Sequence, residues 1–330
     1  PVARPGDARR GAIGYSDDCT VDMGWQSFGD YLDRLESTAL GVNVAAFVGH
    51  GAIHRAIMGD ELRTPDIDET KTMVDLLGEA FDQGAYGFST GLEYWPGSIC
   101  APEHIVPLCE VAARNDRLYA THVRNRDAYY DMGFGEAMTT ARNAGSRLQI
   151  SHIQPKFGAP PHAMEHSLEM IHMAGRQGVD VAFDVIPHDW NHTLIKAILP
   201  AWAQEGGSSK ILERLKEPAT RERMKANPKH MWLLVTAERW NDIALLYSEA
   251  NPQLIGETFA DIGRMRNTTP FDAALDLMLE EGDHIGGLLW TSHSFSDDDI
   301  DLCLEQSQCA VISDALALAP YGALSKHVGS

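Results

Sequence analysis

Short apolar runs alternate with helical segments between residues 43 and 185. The apolar runs occupy residues 43–49, 85–89, 117–122, 147–152 and 179–185, and amphipathic segments at helical spacing cover 68–83, 102–114, 134–144 and 162–177. Continuous apolar strands that alternate with helices are typical of a parallel sheet covered on both faces. The repeated order favours a TIM-like (β/α)8 barrel over an open doubly wound sheet. No GxGxxG motif follows the first strand, which counts against a dinucleotide-binding fold.

The alternation is less regular outside this region. Periodicity predicts helices over residues 25–40, 192–205, 210–215, 219–226 and 297–305, further helical segments up to 281, and strands over 231–236, 286–290 and 309–313. No low-complexity linker divides the chain, so we expect residues 1–330 to form a single α/β domain. Both ends look like cuts rather than natural termini, and we expect the natural polypeptide to be longer.

Composition limits the classes of partner. The 330 residues carry a formal net charge of -20, which repels phosphate backbones and argues against nucleic acid. No apolar run approaches the roughly 20 residues of a transmembrane helix, so no membrane association is expected. The five cysteines include no CxxC pair and are odd in number, which indicates a reducing compartment and a cytoplasmic location.

Two histidines end consecutive predicted strands. His122 and His152 are thirty residues apart, about the length of one βα repeat, so their imidazoles should lie at the same end of adjacent strands. A lone histidine on a strand is more commonly a core or surface residue, but two in register favour a ligand pair. Asp314 follows a late strand. Two imidazoles and a carboxylate suit a divalent metal, with zinc the first choice, and Asp314 could bind the ion or act as general base.

Other polar residues follow strands as well. Arg124 and Arg126 come just after His122 and are either solvated loop charges or a clamp for a substrate carboxylate. Residues 184–192, which include His188, hold more histidine and tryptophan than a turn requires and are predicted to form a wall of the site. Ser89 is not in a GxSxG motif, which argues against a serine hydrolase.

Several segments, in order along the chain, resemble the N-acyl-D-amino-acid deacylases (D-aminoacylases) of the amidohydrolase superfamily. The matching segments are PVARPGD at 1–7, residues 43–51, 58–59, GAYGFSTGLEYWP at 84–96, 119–124, 149–153, 184–187 and 313–322. The resemblance implies a TIM-like barrel in which His122 and His152 bind a divalent metal and Asp314 activates water. It also implies hydrolysis of the amide bond of N-acyl-D-amino acids, releasing a carboxylate and a free D-amino acid.

The chain departs from the family pattern at defined positions. The His-x-His pair of the family's first strand does not occur anywhere in the sequence, and Cys19 is not at the position of the bridging cysteine. The resemblance therefore implies strands three to eight of a barrel cut at both ends. Ala315 replaces a glycine, Gln154 replaces a lysine and His188 replaces a tyrosine. The last two family residues help hold the substrate carboxylate.

These departures leave alternatives open. Gln154 and His188, together with Arg124, are the predicted substrate-binding residues. A cyclic-amide hydrolase of the hydantoinase or dihydroorotase type would share the barrel and the metal, but it usually carries a metal-bridging lysine, for which the sequence offers no convincing candidate. An inactive fragment that only binds metal or ligand is the non-enzymatic alternative. The expected partner is a small N-acyl amino acid, and the sequence leaves the oligomeric state open.

Overall fold

The computed structural model describes residues 24–227 and 232–314 of the chain. The sequence interpretations of residues 1–7, Cys19 and Ala315 lie outside these residues. The strands are β1 (Phe47–Gly49), β2 (Gly87–Gly91), β3 (Leu118–His122), β4 (Arg147–Ile150), β5 (Val181–Val185), β6 (Trp190–Leu194), β7 (Ile243–Tyr247), β8 (Leu289–His293) and β9 (Cys309–Val311). Six of them form one parallel sheet in the order β1-β2-β3-β4-β5-β9.

Helices connect the parallel strands and cover the sheet. The α-helices are α1 (Phe28–Glu36), α2 (His50–Met58), α3 (Ile67–Asp82), α4 (Pro102–Arg114), α5 (Tyr130–Ala144), α6 (Ala163–Arg176), α7 (Ala201–Gln204), α8 (Gly207–Leu215), α9 (Pro218–Lys225), α10 (Leu233–Thr236), α11 (Phe259–Met265), α12 (Pro270–Glu281) and α13 (Asp297–Leu304). Short 3-10 helices cover Gly97–Ile99, Ile195–Ile198, Pro252–Leu254 and Gly282–His284. This βα order is that of a TIM-like barrel with six of its eight strands.

Local sequence explains why the predicted helices form. Asp66 caps α3 by accepting a hydrogen bond from the backbone N–H of Glu69 at 2.8 Å, and the Glu69 side chain accepts one in return from the backbone N–H of Asp66 at 2.8 Å. Of the buried residues of this helix, Met73, Leu77 and Phe81 recur every four residues, and Ala80 lies beside them. The helices predicted at 68–83, 102–114 and 162–177 are confirmed, with ends that differ by at most one residue.

The register of the sheet brings three strand ends together. Gly91 pairs with His122 across β2 and β3, and Thr121 pairs with Ile150 across β3 and β4. The residues that follow β2 and β4 therefore flank His122 on either side. Beneath them Phe88 and Tyr119 stack with ring centroids 5.9 Å apart, and both are fully buried. The carboxyl edge of this sheet is thus fixed by a packed core.

A second, antiparallel sheet was not foreseen. Strands β6, β8 and β7 pair in that order, although a helix is predicted over 192–205 and only helical segments are predicted between 237 and 281. The strand predicted at 286–290 overlaps β8. The predicted strand at 231–236 is also wrong over its described part, since Leu233–Thr236 is helical. A short apolar run can form either a helix or a strand. The segments at β6 and β7 form strands because each pairs with β8.

The second sheet lies in its own hydrophobic cluster. One cluster of buried residues joins the parallel sheet to its helices, and another collects residues between Ile195 and Trp290. Trp232 and Trp290 meet edge to face at 5.2 Å within the second cluster. In the described part of the chain, no helix combines the length and the apolar character needed to cross a bilayer.

Candidate metal centre

His122 and His152 face each other at the carboxyl edge of the parallel sheet. His122 is the last residue of β3, and His152 lies two residues beyond β4. Nδ1 of His122 is 3.0 Å from Nε2 of His152, and the ring centroids are 4.5 Å apart with the planes at 81°. The predicted meeting of the two imidazoles is therefore observed.

Burial keeps both imidazoles neutral. Desolvation lowers the pKa of His122 to about 4, although hydrogen bonding to Glu93 opposes the shift. The pKa of His152 is lowered well below its usual value by desolvation and by the charge of Arg126. A neutral imidazole keeps a lone pair on one nitrogen, which is the form that binds metal ions. At neutral pH both rings are in that form.

The end of β5 holds the backbone of His152. The Asp184 carboxylate accepts a hydrogen bond from the backbone N–H of His152 at 2.5 Å and one from the Gln149 amide at 2.7 Å. Arg126 donates to the backbone carbonyl of His152. These contacts support the left-handed φ of 37° at His152. Asp184 is among the residues predicted to form a wall of the site, and its bond to the neighbouring strand end was not predicted.

Glu93 and Lys156 form a buried ion pair behind His122. Oε2 of Glu93 is 2.7 Å from Nε2 of His122, and Lys156 Nζ lies 2.6 and 2.8 Å from the two carboxylate oxygens. Burial alone would raise the pKa of Glu93, but Lys156 and the hydrogen bond from His122 outweigh it and lower the pKa to about 2. No role was predicted for Glu93, although a charged residue directly after a buried strand was a usable signal.

The donor chemistry of the histidine pair fits a divalent metal. A tetrahedral zinc ion with Zn–N bonds of about 2.0–2.1 Å places neighbouring ligand atoms roughly 3.3 Å apart, close to the 3.0 Å between the two facing nitrogens. A catalytic zinc usually has three protein ligands. Within residues 24–227 and 232–314, no group of three or more His, Cys, Asp or Glu side chains could hold an ion. The described residues thus bring together two of the three side-chain ligands that such a site would need.

Asp314 lies within electrostatic range of Arg126, His188 and Asp184. It follows β9, where the Ile312 N–H extends the sheet by donating to the Val185 carbonyl at 3.0 Å. The residue is exposed, yet nearby protein desolvates its carboxyl and raises the pKa against the opposing charges of Arg126 and His188. Its predicted roles as metal ligand and general base stay predictions.

The predicted substrate-binding residues have different surroundings. Arg124 donates to both Glu136 oxygens, at 2.9 and 3.0 Å, and to the carbonyls of Ser98 and Cys100. The Gln154 amide is fully buried and bonded to the backbone of Ile186. His188 is half-buried, within electrostatic range of Asp314. The substrate roles of Arg124, Gln154 and His188 stay predictions.

Comparisons with known proteins show what the chain is similar to in sequence and fold. No family model matches the chain. An N-acyl-D-glutamate deacylase of Alcaligenes xylosoxydans xylosoxydans is 33% identical over 165 residues, covering 50% of this chain and 34% of that protein. A D-aminoacylase of the same organism is 33% identical over 177 residues, covering 52% and 35%.

A solved relative extends the similarity to most of the fold. The crystal structure of N-acyl-D-glutamate deacylase from Bordetella bronchiseptica, complexed with zinc and a phosphonate mimic of the tetrahedral intermediate, superposes with a TM-score of 0.69 and 26% identity. The match covers 88% of this chain and 52% of that one, so the chain spans about half the length of the solved relative. In sequence over half its length and in its incomplete TIM-like barrel, the chain is similar to D-aminoacylases and N-acyl-D-glutamate deacylases.

Proposed function

We propose that this chain carries part of the active site of a metal-dependent amidohydrolase that cleaves N-acyl-D-amino acids into a carboxylate and a D-amino acid. The observation that carries the proposal is the pair of facing, neutral imidazole nitrogens of His122 and His152 at adjacent strand ends. The names of the related proteins support the choice of substrate, and the zinc in the Bordetella bronchiseptica enzyme supports the choice of metal.

Each proposed residue has one task. His122, through Nδ1, and His152, through Nε2, would hold a divalent ion, with zinc the first choice. Such an ion polarises a carbonyl group and lowers the pKa of bound water towards about 7. Asp314 would take the proton of the attacking water. Its position after β9, at the carboxyl edge of the same parallel sheet, supports this role.

Arg126 is our candidate for holding the substrate carboxylate. The residue is 2% exposed, its Cζ lies 5.7 Å from the centroid of the Phe295 ring, and Nη1 donates to the backbone carbonyls of His152 and Gln154. Its Nε has no hydrogen-bond partner among the described residues. A buried cation with an unused donor favours an anionic ligand. Arg124, by comparison, already has a carboxylate partner in Glu136.

Further proposals concern the protein as a whole. We propose that β1–β5 and β9 are the third to eighth strands of the barrel, which is supported by their unbroken parallel order and by the coverage of the solved relative. A reducing, cytoplasmic setting is proposed from cysteine usage. The free thiols of Cys100, Cys109 and Cys303 are buried, which is compatible with that setting.

Metal content tests the histidine pair first. Purified chain should hold about one zinc equivalent by mass spectrometry, and His122→Ala/His152→Ala should lose it. His162→Ala is the matched control because the His162 side chain is 84% exposed and pairs with Glu165, not with His122 or His152. Equal zinc in the double variant and the wild type would reject His122 and His152 as ligands.

Turnover tests the reaction. The zinc-loaded chain is assayed with N-acetyl-D-glutamate, its L enantiomer and dihydrouracil as a cyclic amide. We expect the wild type to hydrolyse only the D compound. We expect Asp314→Asn to lose this activity while it still binds zinc. Preference for the cyclic amide would overturn the linear-amide proposal.

A second candidate function is metal binding without turnover. It is favoured by one observation, namely that the described residues bring together two metal ligands rather than three. In that case wild-type chain would bind zinc through His122 and His152 yet hydrolyse none of the three compounds.

A further inference from the structure

A buried carboxylate stands on the far side of His122 from His152. Glu93 follows β2, its side chain is 3% exposed, and it contacts Nε2 of His122 while Nδ1 of the same ring faces His152. The two contacts occupy opposite nitrogens of one imidazole. Glu93 therefore cannot share an ion that sits between the two histidines, and its effect on such an ion must pass through the ring of His122.

The ion pair with Lys156 dictates the proton position on His122. An ionised carboxylate only accepts hydrogen bonds, so the hydrogen between Glu93 and His122 belongs to Nε2. The neutral ring then has its lone pair on Nδ1, the atom that faces His152. A carboxylate on the second nitrogen of a metal-binding histidine fixes both the tautomer and the ring orientation.

Lys156 offsets the free-energy cost of burying the charged Glu93 carboxylate. Its side chain is also 3% exposed, with Nζ 4.0 Å from the centroid of the Trp232 ring and within hydrogen-bond distance of both Glu93 oxygens. A buried charge is costly unless an opposite charge and hydrogen bonds compensate it. The backbone N–H of Lys156 also donates to the Arg126 carbonyl at 2.6 Å, which ties the segments after β3 and β4 together.

We propose that the Glu93–Lys156 pair positions His122 as a metal ligand by holding its Nδ1 lone pair towards His152. The inference rests on the proposed metal-dependent function. Glu93 and Lys156 are positioning residues in this proposal, since neither is assigned a contact with substrate or ion.

A charge-free double variant separates positioning from folding. In Glu93→Leu/Lys156→Met, apolar side chains replace both members of the pair, so neither of the two charges is left buried without the other. We expect a cooperative urea transition close to that of the wild type but a 10- to 100-fold weaker zinc affinity, measured by competition with a chelator. The matched control is Glu136→Gln, which alters a carboxylate bonded to Arg124 rather than to His122 and should change zinc affinity less than twofold.

The tautomer of His122 gives a readout that needs no metal. Long-range 1H–15N correlation spectra are recorded on histidine-labelled, metal-free protein, and the His122 signal is identified by its absence in His122→Ala. This signal should show the Nε2–H tautomer. The double variant should lose this fixed tautomer, and Glu136→Gln should keep it. Unchanged zinc affinity together with an unchanged tautomer in the double variant would overturn the positioning role. Failure of the wild type to bind zinc would instead reject the proposed metal function, and the tautomer would still decide whether Glu93 orients the ring.

Discussion

Gln154 clamps the backbone of Ile186 from the neighbouring strand end. Its Nε2 donates to the Ile186 carbonyl at 2.6 Å and its Oε1 accepts from the Ile186 N–H at 3.1 Å. The amide is fully buried, so water does not compete for these two hydrogen bonds. A residue predicted to meet substrate thus joins the loops after β4 and β5.

Replacing this amide should cost stability. Gln154→Leu leaves a buried N–H and a buried carbonyl without partners, and we expect the free energy of unfolding to fall by about 2–4 kcal/mol in urea titrations. Gln177→Leu, at an exposed position just after α6, should change it by less than about 0.5 kcal/mol. A Gln154→Leu protein as stable as the wild type would show that the clamp is dispensable.

Arg124 should behave as a structural residue. Arg124→Met removes the paired hydrogen bonds to Glu136 and leaves that largely buried carboxylate unpaired, so a loss of about 2–4 kcal/mol is expected by chemical denaturation. Zinc affinity should hardly change. Arg114→Met is the control because the Arg114–Glu110 pair is exposed and 3.9 Å apart, and it should cost under about 1 kcal/mol. Weaker zinc binding in Arg124→Met at full stability would contradict this assignment.

Two glycines in different surroundings should respond in opposite ways to alanine. At Gly87 in β2 a Cβ would lie 2.6 Å from the Leu118 carbonyl oxygen, so Gly87→Ala should lower the free energy of unfolding by about 1–3 kcal/mol. At Gly78, inside α3, no atom beyond its chain neighbours and the adjacent backbone of its own helix lies within 4 Å of a new Cβ, and Gly78→Ala should stabilise by about 0.5–1 kcal/mol. Thermal or urea unfolding measures both, and the same sign for both would refute the packing argument.

Buried histidines should make the fold sensitive to mild acid. Desolvation lowers the pKa of His50 to about 3 and of His54 to about 4, from 6.5 in the unfolded chain. The unfolded chain therefore binds more protons below pH 6.5, so stability falls as the pH decreases from 6.5 towards 4. His50 alone should cost about 2 kcal/mol between pH 7.5 and pH 5, and His54 adds to the loss.

Urea unfolding at pH 5, 6 and 7.5 measures this dependence. His50→Gln should make it about 2 kcal/mol smaller between pH 7.5 and pH 5, whereas the exposed His162→Gln should leave it as in the wild type. An unchanged pH dependence in His50→Gln would mean that His50 is not the neutral, buried group described here.

The amino-acid sequence by itself determined the repeated βα order and the convergence of His122 and His152. Both depend on local patterns: continuous apolar strands, helical spacing and caps such as that of Asp66. The thirty-residue spacing then suffices, because equivalent positions in consecutive parallel repeats reach the same edge of a sheet. The resemblance to the deacylases rested on the same strand ends.

Tertiary structure alone decided the partners of the polar groups. Glu93 and Lys156 are 63 residues apart, and Gln154 meets Ile186 across 32 residues, so no periodicity reports these contacts. The antiparallel sheet escaped prediction for the same reason, since the short segment at β6 becomes a strand only by pairing with β8 about a hundred residues later. Hydrogen-bond partners and strand pairing depend on contacts between distant residues, which fold topology selects and local sequence does not encode.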